Sequence, residues 1–198
     1  LSLVGSEMCI RDRLSACVDG WFTLPYSVPN YLAPLLGRPK LSPDDDVVRA
    51  AVAEAEADVQ ALVAIGGTQG PEGFHRRLGD LLYEKCGVTR TAEGLAEGLR
   101  GIRELRREFW SDLRVQGRPD GFNQELERAG RVADYLDMAE LMCLDALDRD
   151  ESCGAHFREE HQTEGGEAQR DDAHWLFASA WERAASGDDD AAAGPRYV

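Results

Sequence analysis

No run of apolar residues in this 198-residue chain approaches the roughly 18 needed to cross a bilayer, which argues against direct membrane insertion. The opening LSLVG is too short for a signal-peptide core before Glu7, Arg11, Asp12 and Arg13 intervene, so an intracellular protein is expected. Neither GxGxxG nor GxxxxGK[ST] occurs, so a nucleotide-binding fingerprint is absent from these residues. Positive charge is scarce: 22 Lys plus Arg stand against 37 Asp plus Glu, a formal net charge of −15. A phosphate backbone would be repelled over most of such a surface, which excludes nucleic acid as a partner. The five cysteines, Cys9, Cys17, Cys86, Cys143 and Cys153, lack framework spacing and read as free thiols. Alternating strand patterns are missing from the middle of the chain, so a self-contained parallel sheet is not expected.

What is present is helical. The 43% hydrophobic content suffices for one buried core. Ser42, Pro43 and Asp44 to Asp46 make a helix start, and Val48, Val52, Ala55, Val59 and Leu62 recur at steps of three and four until Gly66 and Gly67. A second helix opens at Pro71 and carries Phe74, Leu78, Leu82 and Cys86 on one face, with Gly87 as its stop. His75 has no carboxylate or nucleophile at a useful local spacing and reads as a surface histidine rather than a general base. Thr91 caps a third helix whose stripe is Leu95, Leu99, Ile102, Phe109 and Leu113. Its charged face, Arg100, Arg103, Glu104, Arg107 and Glu108, reads as solvated, with pairs along the helix. Asn123 caps a fourth that runs to about Asp148; from Met138 to Leu147 it is apolar on nearly all sides, which predicts burial all round, with Cys143 and the methionines as packing.

The flanks differ. Residues 1–13, LSLVGSEMCIRDR, have no periodicity that continues into the chain and read as a non-native or disordered leader. Residues 14–40 are apolar, aromatic and broken by Pro25, Pro29 and Pro34. They predict a buried connecting helix and turn, with Trp21 and Tyr26 as packing rather than ligand-binding residues. HWLFASAWE could dock as a short extended segment or strand, and residues 183–198 read as disordered. The expected fold is therefore all-α, an antiparallel bundle of three to four helices over residues 41–148 with an extended polar tail over 149–182.

That tail holds the most chemistry. Asp150 to Asp172 collects Cys153, His156, Arg158, His161, Arg170, Asp171 and Asp172 with too little apolar content to form core. Cys153 and His156 form a C-x-x-H pair and His161 follows, which permits a zinc site with one further donor; a second ligand cluster is missing. A Cys-His nucleophile pair lacks an orienting third group. The other reading is a docking segment in which Arg158, Arg170 and the neighbouring acids bond to another domain, leaving the arginines short of partners within this chain.

ESCGAHFREEHQTEGGEAQRDD, followed by a tryptophan, resembles the C-terminal signature of the flavoprotein subunit of succinate dehydrogenase and fumarate reductase. DGWFTLPYSVPNYL, FHRRLGDLLYEKCGV, LRREFWSDLRV and ELERAGRVADYLDMAELM are similar to the same family in the same order, so the resemblance covers Leu14 to about Glu182. It implies a subunit that carries FAD, interconverts succinate and fumarate and passes electrons to an iron-sulfur subunit beside a membrane anchor subunit. Such a subunit is cytoplasmic, at the inner face of the membrane through those partners. It implies further that 14–40 closes the flavin-binding domain, and that Cys153, His156, Arg158, Arg170, Asp171 and Asp172 form a family docking segment. The family's catalytic and flavin-binding residues match no position here, so an N-terminally truncated, inactive chain without FAD is expected. Arg11, Asp12 and Arg13 stand where the family has an Arg-Leu-Gly motif, and Cys153 where many relatives have arginine. The alternative is a stand-alone acidic helical interaction module with zinc at Cys153, His156 and His161.

Overall fold

The computed structural model describes residues 17–118, 120–183, 194 and 197. Its order is a π-helical turn (Asp19–Thr23), α1 (Leu24–Leu32), a 3-10 turn (Ala33–Leu35), α2 (Asp46–Ala64), α3 (Pro71–Lys85), β1 (Thr89–Arg90), α4 (Ala92–Asp112), α5 (Gln124–Asp148), β2 (Phe157–Arg158) and a single turn, α6 (Asp172–Trp175). The fold is all-helical, as expected. The one addition is a two-residue parallel ladder that pairs Thr89 with Phe157 and Arg90 with Arg158.

Capping chemistry sets the long helices. Thr91 Oγ1 accepts from the Gly94 N–H at 3.0 Å, and Asn123 Oδ1 accepts from the Glu125 and Leu126 N–H groups at 3.1 Å each. Pro71 occupies the first turn of α3. The α2 start is later than Ser42 suggests: Asp45 is its cap residue, and Ser42 Oγ instead accepts from the Asp44 N–H in a preceding turn. The α2–α3 turn presses so close to the end of α4 that a Cβ on Gly67 would lie 2.2 Å from the Asp112 carbonyl, which only glycine permits.

The core lies between α3, α4 and α5. Phe74, Leu95, Ile102, Phe109, Leu113, Leu136 and Cys143 are fully or almost fully buried, with Phe74 and Phe109 edge to face at 5.3 Å. Three expectations fail here. Met138 and Met142 are exposed, because over that stretch α5 buries Ala139, Cys143, Ala146 and the Glu140 carboxylate, with Leu144 and Leu147 packed partly buried beside them. The α2 stripe is buried only at Leu62; Val52 and Ala55 face solvent. The described part of 14–40 is likewise exposed throughout, with Trp21 at 78% and Leu36 at 82%, since no described element lies over it. The 1–13 leader lies outside the described residues, as does most of 183–198. The HWLFASAWE segment begins as the α6 turn rather than a strand, and Trp181 Nε1 donates to Asp145 at 2.7 Å.

Candidate functional site: the polar segment across two helix ends

A helix leaves its last carbonyls and first N–H groups without partners, and α5 and α4 present such ends side by side. Arg158, 2% exposed, sends Nη1 to the Ala146 carbonyl at 3.1 Å and the Leu147 carbonyl at 3.4 Å, capping the negative end of α5. Two residues on, Glu160 Oε1 accepts from the Ala92 N–H at 2.7 Å, at the positive end of α4. Arg158 Nε also donates to Glu160 Oε2 at 3.2 Å. Burial works against ionisation of Glu160, but the bonds from Ala92 and Arg158 outweigh it and hold its pKa below the usual carboxylate value.

The rest of the segment is fastened in the same way. Fully buried Ser152 accepts from the Arg158 N–H at 2.8 Å and donates to the Arg158 carbonyl at 3.0 Å. Glu151, 2% exposed, takes Arg149 Nη2 at 2.7 Å on one oxygen and the Asp171 N–H at 2.8 Å on the other. His156 Nδ1 lies 2.9 Å from Arg90 Nη1, and Nε2 lies 2.9 Å from the Arg149 carbonyl. A guanidinium can only donate and a carbonyl only accept, so Nδ1 is the bare nitrogen, Nε2 carries the proton and the ring is neutral. Burial, with Arg90 and Arg158 nearby, pushes its pKa below 6.5 against the pull of the Arg149 carbonyl.

The expectation that Arg158 is short of partners within this chain is thus overturned: helix-end carbonyls and Glu160 hold it. Arg170, by contrast, pairs at the surface with Asp172 at 2.7 Å, and Asp171 holds His174 at 2.7 Å, which keeps the Asp171 pKa low. His156 has both ring nitrogens engaged, and His161 bonds Asp150 through Nε2 at 2.8 Å. Among the described residues no three His, Cys, Asp or Glu side chains converge to hold a metal.

Sequence reasoning missed a second polar cluster. Arg106, 1% exposed, binds Glu140, the Leu136 carbonyl at 3.0 Å and Asp137 at 3.0 Å, while Arg103 reaches the other Glu140 oxygen at 2.7 Å. Arg106 follows Leu105 inside the apolar stripe of α4, which was the available signal. The charged face of α4 is also cross-braced rather than paired along itself: Glu108 bonds Arg77 and Gln69 and its pKa falls to about 2.

Residues 75–193 match the family described as fumarate reductase flavoprotein C-term. The chain belongs to that family. It is 28% identical over 123 residues to the fumarate reductase flavoprotein subunit of Serratia sp. (strain ATCC 39006), covering 62% of this chain and 20% of that protein. The Escherichia coli subunit of the same name is 29% identical over 133 residues, 67% of this chain and 21% of that one. Among solved structures, a mutant E. coli quinol fumarate reductase superposes with TM-score 0.64 at 26% identity over 80% of this chain and 25% of its own. The Mycobacterium smegmatis Sdh1 complex in the apo form gives 0.55 at 28% over 67% and 21%. The chain spans about a fifth of the length of the curated relatives it matches.

A depression of about 480 Å³ between α3 and α5 is lined by His75, Tyr135, Arg128 and Arg131 together with Glu72 and Glu127. No helix among the described residues is long and apolar enough to cross a membrane.

Proposed function

We propose that this chain serves as the helical C-terminal domain of an FAD-carrying subunit that interconverts succinate and fumarate. That subunit passes electrons to an iron-sulfur subunit at the inner face of the membrane, held there by a membrane anchor subunit. The match over residues 75–193 carries the reading. By itself the chain is expected to hold no FAD and to oxidise no succinate, since it spans about a fifth of the length of its flavoprotein relatives.

The uncovered apolar surface supports a particular mode of docking. Trp21, Tyr31, Leu36 and Leu41 are each at least 70% exposed, and such a surface is stabilised by a partner that removes it from water. We assign the flavin domain to that face, with residues 14–40 as its closing element. Within the polar segment, Arg170, Asp171 and Asp172 form the outward part of the contact, while Cys153, His156 and Arg158 shape it from within. Coexpression with the flavin-bearing portion of the E. coli relative tests this: the chain is expected to copurify, and replacing Trp21, Tyr31 and Leu36 by serine to abolish it. A wild-type chain that elutes alone would overturn the assignment.

A further inference from the structure

Arg106 uses its donors unevenly. Nη1 and Nη2 bind Glu140, Asp137 and the Leu136 carbonyl, while the buried Nε has no partner among the described residues. A bare buried donor has to be explained by what lies over it. Gly194 lies there. Its backbone is left-handed, φ 79°, and a Cβ on it would collide with Arg106 Nη1 and Cζ and stand 3.0 Å from Nε, so the Gly194 backbone rests on the guanidinium. Two further contacts bring the chain's last residues to this place. Trp181 Nε1 donates to Asp145 on α5 at 2.7 Å, and Arg183 pairs with Tyr197 in an antiparallel bridge. Gly194 and Tyr197 are both half-buried. Burial, with the Asp137 charge nearby, raises the Tyr197 pKa, and burial raises that of Asp137 against the pull of Arg106, in keeping with a covered cluster.

We propose that the polar crevice over Arg106, between α4 and α5, is a docking site for the chain's own C-terminal end, a strap that Trp181 and the Arg183–Tyr197 bridge fasten and that Gly194 seats on the guanidinium. The strap keeps water from the Arg106–Glu140 pair, which strengthens the attraction between its charges. The contrast with Arg103 shows the effect: it reaches the same carboxylate from an exposed position, whereas Arg106 is 1% exposed. Glycine is required at position 194 on two counts, the positive φ and the contact with Arg106. A larger residue there unseats the strap and leaves the α3–α4–α5 core as it is.

The test compares amide hydrogen exchange over residues 183–198 in the full 198-residue chain, in Gly194→Val and in a free peptide of the same 16 residues. Exchange in the wild-type chain is expected to be at least about tenfold slower than in the peptide, and Gly194→Val to lose that protection while α4 and α5 exchange as before. Phenylglyoxal, which modifies guanidinium groups that solvent reaches, gives a second reading. Arg106 should stay unmodified in the wild-type chain and react in a chain ending at Glu182, with Arg103 reacting alike in both. A wild-type segment that exchanges as fast as the free peptide, equal protection in Gly194→Val, or an Arg106 as unreactive without the strap as with it would overturn the proposal. The wild-type exchange rate decides even if the shortened chain fails to fold.

Discussion

Arg158 lies twelve residues after Ala146, and the 3.1 Å bond from its guanidinium to the Ala146 carbonyl ties the polar segment to the last turn of α5. Arg158→Ala removes that bond, leaves buried carbonyls bare and takes one of two partners from Glu160, so a loss of about 2–4 kcal/mol is expected in denaturant unfolding. Arg158→Lys should recover only part of it, since an ammonium cannot reach both the α5 carbonyls and Glu160 with one planar fork. Equal stability of wild type and Arg158→Ala would mean that water replaces these contacts without cost.

His156 should make the fold sensitive to mild acid. Its native pKa lies below 6.5, so the unfolded chain takes up a proton first. The stability it contributes is fully present above about pH 6.5 and is lost as pH falls from there toward the native pKa. The difference in unfolding free energy between wild type and His156→Gln, measured from pH 7.5 to 5, should shrink on acidification. A difference that stays constant or widens would contradict the neutral, Nε2-protonated ring.

The Arg106–Glu140 pair predicts strong non-additivity. Glu140→Leu alone leaves a buried guanidinium without its main anion and should cost about 3–5 kcal/mol. Arg106→Met with Glu140→Leu should recover most of that loss, because both desolvation penalties disappear together. Thermal unfolding of the two single variants and the double variant checks this; a double variant as unstable as the sum of the singles would count against it.

Removal of residues 1–41 should leave the bundle intact. The described part of that stretch buries none of its large apolar side chains, so the melting temperature should move by no more than a few degrees while self-association falls. A drop of about 10 °C or more, far beyond what 1 kcal/mol produces, would show that the stretch packs on the bundle after all.

Much of the architecture was legible because its signals are local. Thr91, Asn123 and Pro71 mark helix starts by chemistry that acts within one turn, and the Phe74 and Ile102 stripes follow from a 3.6-residue period. The failures share a cause: the deciding partner is distant in sequence. The α2 stripe and Trp21 look like core to a periodicity argument, yet burial needs a surface the described residues do not supply. Met138 and Cys143 are equally apolar, and only the positions of α3 and α4 decide which is covered. Arg106 and Glu140 lie on different helices, so their pairing cannot be read from either. The polar segment stands out in the sequence, but its partners within the chain do not, because the helix-end carbonyls that hold Arg158 carry no residue-type signature.

The most direct measurement of the central claim is the absorption spectrum of the purified chain after incubation with FAD and removal of free ligand, paired with succinate-dependent dye reduction. The account predicts a helical, cooperatively unfolding protein with no flavin bands and no dye reduction. Stoichiometric retained flavin, or succinate oxidation by the chain alone, would contradict it.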